Sequence, residues 1–124
     1  MDDMATGTVQ MYERAWKRLW TNPSPSSDYA AGDVAIANIG NYTEYRVQFK
    51  DYKTATAPSL SAVIFGVGKA NQWAFNAAKF HYRDAQITAN GVTFSDCTTV
   101  DTYGAPSSGT KTNGYLIPVY IEAR

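Results

Sequence analysis

The sequence is poorest in the residues that chemistry and cross-linking use. It holds one cysteine, Cys97, and one histidine, His81, among 124 residues. A lone thiol excludes an internal disulfide. A structural zinc site needs about four nitrogen or sulfur ligands, and the chain offers only these two side chains. Net charge is also lacking, because 11 basic and 11 acidic side chains cancel. The densest basic run, Arg14, Lys17 and Arg18, reads as a solvated strand face. Nucleic acid is therefore not an expected partner. No apolar run approaches the roughly 20 residues that span a bilayer, so no membrane partner is expected either. Met1-Asp2-Asp3-Met4 has no signal-peptide pattern, and the expectation is synthesis in the cytosol without a cleaved leader. Internal repeats, heptad runs and low-complexity tracts are absent.

Aromatic side chains are abundant: nine Tyr and three Trp. With low charge they suit a β-sandwich, and also surfaces that contact sugars or protein partners. The organising stretch is Val34 to Lys50. Thr43, Tyr45, Val47 and Phe49 alternate with Glu44, Arg46, Gln48 and Lys50, which is the period of a half-buried strand. Val34, Ile36 and Ile39 precede it, and Gly40-Asn41 supplies a turn, so two strands are expected to meet through a short connection. The length fits one domain that buries a core without staples.

The remaining elements follow in order. Residues 1–7 read as a flexible lead-in, and 8–124 as a β-sandwich domain. Thr8 to Asn22 fits either an amphipathic helix or two strands with a turn near Glu13 to Ala15; the β context favours strands. Asn22 to Gly32 is a Pro- and Ser-rich loop. Ser59 to Gly68 has an apolar centre, the mark of a strand covered on both faces near the middle of a sheet. Lys69 to Ala78 fits either a helical turn capped by Asn71 or a strand showing Trp73 and Phe75 to one side, and a strand or irregular edge is favoured. Lys79 to Ala89 is extended, with Phe80 and Tyr82 on one face and a bulge near Asp84 if Ile87 is to join them. Asn90-Gly91 is the strongest hairpin signal. Asp101 to Gly114 is a long polar loop, and Tyr115 to Glu122 a final strand whose Pro118 demands an edge or a bulge. The sum is an all-β, antiparallel β-sandwich or jelly-roll-like fold of about eight strands.

Reactive constellations do not emerge. His81 and Cys97 have no partners nearby in sequence and read as structural. Gly66-Val67-Gly68 lacks the helix start of a phosphate loop, and no nucleophile elbow occurs. Asn41-Tyr42-Thr43 fits a glycosylation acceptor that has no meaning without export. Asp28 with Asp33, and Asp96 with Asp101, could serve hydrolysis or calcium, but scattered loop aspartates are ordinarily turn formers. No cofactor and no enzymatic activity are expected.

Three segments nevertheless form a pattern. They are LWTNPSPSSDYAAGDVAIANIGNYTEYRVQFK, ITANGVTFSD and NGYLIPVYIEAR. Their order resembles a module of tailed bacteriophages and prophages. The matching positions are Leu19, Trp20, Asn22, Pro23, Ser26, Ser27, Ala30-Ala31, Tyr42, Gly91 to Phe94 and Tyr115 to Ile121. Glu122-Ala123-Arg124 departs from the usual glycine and lysine, and Asp51 to Ala85 matches only in strand pattern. The resemblance covers about two-thirds of the chain. It implies a non-enzymatic virion structural protein of tail, baseplate, fibre, capsid or decoration type. Its location would be the virion, its partners other virion proteins and a host-surface glycan, and its state a homo-oligomer, with trimers common at fibre tips. Two other readings compete. One is a carbohydrate-binding module stacking sugars on Trp16, Trp73, Tyr103 or Tyr115; the other is a small glycan hydrolase. The expected binding residues sit on the two long loops and their border: Asp28, Tyr29, Asp101, Tyr103 and Tyr115.

Overall fold

The computed structural model describes residues 15–105 and 109–124. The expected lead-in, and the first strand and most of the turn expected within 8–15, fall outside them. Among the described residues there are ten strands and no α-helix: β1 Lys17–Thr21, β2 Gly32–Ala35, β3 Glu44–Tyr52, β4 Leu60–Phe65, β5 Lys69–Asn76, β6 Lys79–Thr88, β7 Gly91–Phe94, β8 Thr98–Val100, β9 Thr110–Lys111 and β10 Tyr115–Ala123. They form two antiparallel sheets, so the fold is an all-β sandwich as expected. One sheet runs β1-β10-β3-β4. The other runs β2-β7-β6-β8-β9, with β5 on the far side of β6.

β7 and β8 act as one interrupted strand along β6. Tyr82 to Ala85 is three steps on β6, but their partners Thr98 and Phe94 are four apart. The extra residue is a bulge, and the Ser95 hydroxyl repairs the ladder by accepting the Asp84 N–H at 2.8 Å. β6 itself pairs with β5 without a register break. The bulge expected at Asp84 therefore lies across from it, and Ile87 faces inward while Phe80 and Tyr82 face outward.

β3 carries the alternation to the core. Tyr45, Val47 and Phe49 are almost fully buried, and Glu44, Arg46 and Gln48 lie half-buried on the other face. Lys50 breaks the pattern. It is buried, and its Nζ donates to the Pro25 and Lys53 carbonyls, both at 2.8 Å. β2 and β3 do not pair as neighbours: β2 pairs β7 and β3 pairs β10 and β4. The chain crosses between sheets through a 3-10 turn, Ile39–Asn41. The Tyr45 hydroxyl pins that turn, 2.6 Å from the Ile39 carbonyl.

Three further expectations shift. β4 is an edge strand rather than a central one, and its second apolar face is open. The β6–β7 hairpin turns on Ala89-Asn90, one residue early, with Thr88 opposite Gly91. Gly91 is required for another reason: a Cβ there would lie 1.8 Å from the Val34 carbonyl oxygen. β10 is central, between β1 and β3, and accommodates Pro118 through a register shift before Tyr120.

Candidate functional site

Pairing of β5 with β6 sorts their side chains by parity. Ala70, Gln72 and Ala74 lie opposite Ala85, Arg83 and His81, the row that faces inward. Trp73 lies opposite Tyr82, and Phe75 opposite Phe80, on the outer face. The two-residue connection makes Asn76 and Lys79 a hydrogen-bonded pair, so Trp73–Tyr82 is a non-hydrogen-bonded pair, where side chains approach closely. The rings accordingly stack with centroids 4.7 Å apart, and Phe75 and Phe80 lie 4.9 Å apart. After β8 the chain folds back over this face. Tyr103 comes within 4.5 Å of the Trp73 ring and 5.8 Å of Phe80.

Five aromatic rings thus form a platform on the outer sheet surface. Phe75 is 63% exposed and Tyr103 64%, so the platform is open to a ligand. Its charged rim is paired internally: Lys69 with Asp84 and Lys79 with Asp101, each at 3.1 Å. Asn71 donates to Asp84. A polar groove of about 300 Å³ lies between Lys79, Thr99, Asp101, Thr110 and Thr112, on the face of the sheet that Thr99 shares with its partner His81. Val63, Phe65 and Val67 are the other exposed large apolar residues, on β4 and the turn that leads into β5. All five exposed large apolar side chains among the described residues are therefore on β4, β5, their connection, or the Tyr103 arm packed on β5.

The structure divides the five expected binding residues. Tyr103 and Asp101 lie at the platform. Asp28 sits apart, holding Lys53 at 2.8 Å. Tyr29 is half-buried against Phe94 and Trp20, at 5.5 and 6.4 Å, and under the Arg83 guanidinium. Burial raises its pKa, with Arg83 opposing. A groove of about 450 Å³ runs past Asp28 and Tyr29, between Trp20, Asn22, Asp33 and Val34. Tyr115 is spent on an internal stack, 3.8 Å from His81 and near-parallel. Trp16 lies beneath Arg46 and Arg124. Phe75, Phe80 and Tyr82 were legible only as strand positions; the alternation that set Trp73 and Phe75 on one face was the available signal.

The reactive groups are engaged elsewhere. His81 Nε2 donates to the Asn76 carbonyl at 2.9 Å, and its Nδ1 is hydrogen-bonded with the Thr99 hydroxyl at 2.6 Å. Thr112 bonds Thr99 behind it. Cys97 is fully buried, and burial pushes its thiol up to about 11 despite neighbouring Arg83, the opposite of an activated nucleophile. Arg83 is buried without exposure and spreads its guanidinium over three carbonyls: Leu116 at 2.8 Å, Ser95 at 2.6 Å and Tyr115 at 3.2 Å. The Ala31 N–H and the Asn113 side chain hold Asp96 below the usual carboxylate range, each donating at 2.8 Å. Asp33 accepts from Thr93 at 2.7 Å. No group of three or more His, Cys, Asp or Glu that could hold a metal occurs among the described residues. These contacts build a fold, and the aromatic platform is the feature they leave facing outward. No protein-family model, curated protein or solved structure matches the chain.

Proposed function

We propose that this chain is a non-enzymatic virion structural module that attaches through the outer face of the β5–β6 hairpin. The observation that carries the attachment role is the platform of Trp73, Phe75, Phe80, Tyr82 and Tyr103. Soluble chains rarely leave contiguous apolar surface uncovered without a partner for it, and aromatic side chains are the typical anchors of protein interfaces. The virion setting is supported by the ordered sequence segments that resemble phage structural modules. Mass spectrometry of gradient-purified phage particles from a culture carrying the gene tests that setting. The chain is expected to co-purify with the particles in stoichiometric amounts; its absence from them contradicts the proposal.

A second reading is favoured by one observation, the exposed Tyr103 ring packed against Trp73. An open ring available for stacking suits a glycan. A glycan array read with the wild type and Tyr103→Ala separates the two readings. Binding that Tyr103→Ala abolishes supports a carbohydrate-recognition role, and an array without signal leaves the platform to a protein partner.

A further inference from the structure

The sheet edges of this molecule are protected unequally. β1 is short, begins Lys17-Arg18 and breaks register between Arg18 and Trp20. β2 has four residues and carries Asp33; β9 has two. Short strands, charges and bulges are the usual defences of an edge. β5 has none of them along its length. It runs eight residues with unbroken register and pairs only β6 among the described residues. Its only charge is Lys69, at one end.

The backbone of β5 is set for a further ladder. Because Asn76–Lys79 is a hydrogen-bonded pair, the odd-numbered residues of β5 turn their N–H and C=O away from β6. Among the described residues the Trp73 carbonyl accepts the neighbouring Gln72 side chain, at 3.0 Å, which an incoming strand can replace. The same odd-numbered residues carry the exposed aromatic row, so backbone pairing and ring burial would occur together.

We propose that β5 is a dimerisation edge, on which two copies of this chain pair antiparallel about a two-fold axis at Ala74. This register sets Trp73 opposite Phe75 of the second copy, twice, giving two aromatic cross-strand pairs of the favourable kind. The small Ala74 side chain falls on the axis and meets itself without a clash. The chemistry of the patch selects a second copy over a charged partner. The rim ions are already paired at 3.1 Å within each chain, and the net charge is zero. No charge on the patch calls for an oppositely charged partner, and two copies do not repel. Joined in this way, the two platforms form one aromatic strip, and attachment becomes bivalent. The inference stands on edge geometry and does not depend on the virion setting.

Light scattering on the purified chain and hydrogen exchange of β5 test it together. The wild type is expected to be a dimer, with Trp73 and Phe75 amides exchanging about tenfold more slowly in concentrated than in dilute solution, as mass action requires. Phe75→Lys is expected to give a folded monomer, whereas Phe65→Lys, on the other open edge, keeps the dimer. A monomeric wild type, exchange independent of concentration, or loss of the dimer in Phe65→Lys overturns the proposal. If Phe75→Lys does not fold, the concentration dependence of wild-type exchange decides alone.

Discussion

At the scale of single residues, Arg83 is a fully buried charge that ties separate parts of the interior together. It joins the β6 ladder to the bulge carbonyl of Ser95 and to the start of β10. Leu116 there holds a positive φ of 50° while fully buried. A non-glycine residue persists in that conformation only when its surroundings enforce it, and the Arg83 Nε donated to its carbonyl is one such restraint. Burial lowers the Arg83 pKa, offset by Cys97, Tyr29 and Asp96, yet a guanidinium is not deprotonated in proteins. Replacing it leaves buried acceptors bare, at about 1–3 kcal/mol each. Arg83→Met is therefore expected to lower unfolding stability by about 3 kcal/mol or more, measured by urea denaturation, while Arg83→Lys recovers only part because an ammonium cannot fork over three carbonyls. A loss below about 1 kcal/mol in the Met variant would show that these bonds are not what holds β10 in place.

Glu122 gives a prediction in pH. Burial alone would raise its pKa, but hydrogen bonds from Gln48 and Arg46 and the charges of Arg46 and Arg18 together bring it below the ordinary value of 4.5. Gln48 donates at 2.6 Å and Arg46 Nε at 2.9 Å. A carboxylate with a depressed folded pKa binds fewer protons folded than unfolded. Its contribution is thus complete above the unfolded value and is lost as pH falls through the folded one. Thermal midpoints are expected to fall on acidification below pH 4.5, with a shallower slope in Glu122→Gln. Equal slopes would remove Glu122 from the account.

At the scale of elements, the β5–β6 hairpin is built on an unusual turn. Ala77 and Ala78 both have positive φ, 54° and 62°, the geometry of a two-residue turn that ordinarily selects Asn-Gly. The double substitution Ala77→Asn with Ala78→Gly is expected to stabilise the protein by about 1 kcal/mol, read from the denaturant midpoint. No gain, or a loss, would mean that the turn is not formed this way in solution. The same hairpin shows why the sequence was legible in part. β3 could be read because one face is buried and the other is polar, so the period survives in the letters. β4 could be read as a strand but not as an edge, because its outer apolar row, Val63 and Phe65, is open to solvent rather than covered. An apolar run alone does not say what covers it. Gly91 read as a turn glycine, but the close approach of Val34 is what requires it. Pro118 signalled an edge or a bulge, and the bulge is what forms, since β10 carries its irregularity between two neighbours. For the site, Trp73 and Tyr103 were visible as exposed aromatics. Their meeting depends on the fold-back after β8, a long-range contact that no local pattern encodes, and Tyr29 and Tyr115 looked equally available but are packed inside.

At the scale of the whole molecule, the sandwich has a finished side and an open one. β1, β2 and β9 close it with short, charged or bulged edges. β4 and β5 end the two sheets with long strands and exposed Phe65, Val67 and Phe75. Arg83, Lys50 and Ser95 use their interior polar groups to hold a bulge and turns. The proposed working surface is the aromatic face of β5 and β6, which the proposed pairing of β5 would extend across a second copy. The most direct measurement is incorporation of the Phe75→Ala, Tyr103→Ala double variant into phage particles, in competition with the wild-type chain. Both side chains are mostly exposed, so the thermal midpoint is expected to change by only a few degrees or less. Incorporation is expected to fall by about tenfold or more, the loss of one interface anchor or greater. A folded double variant that enters particles as readily as the wild type would contradict the assignment of this face as the attachment surface.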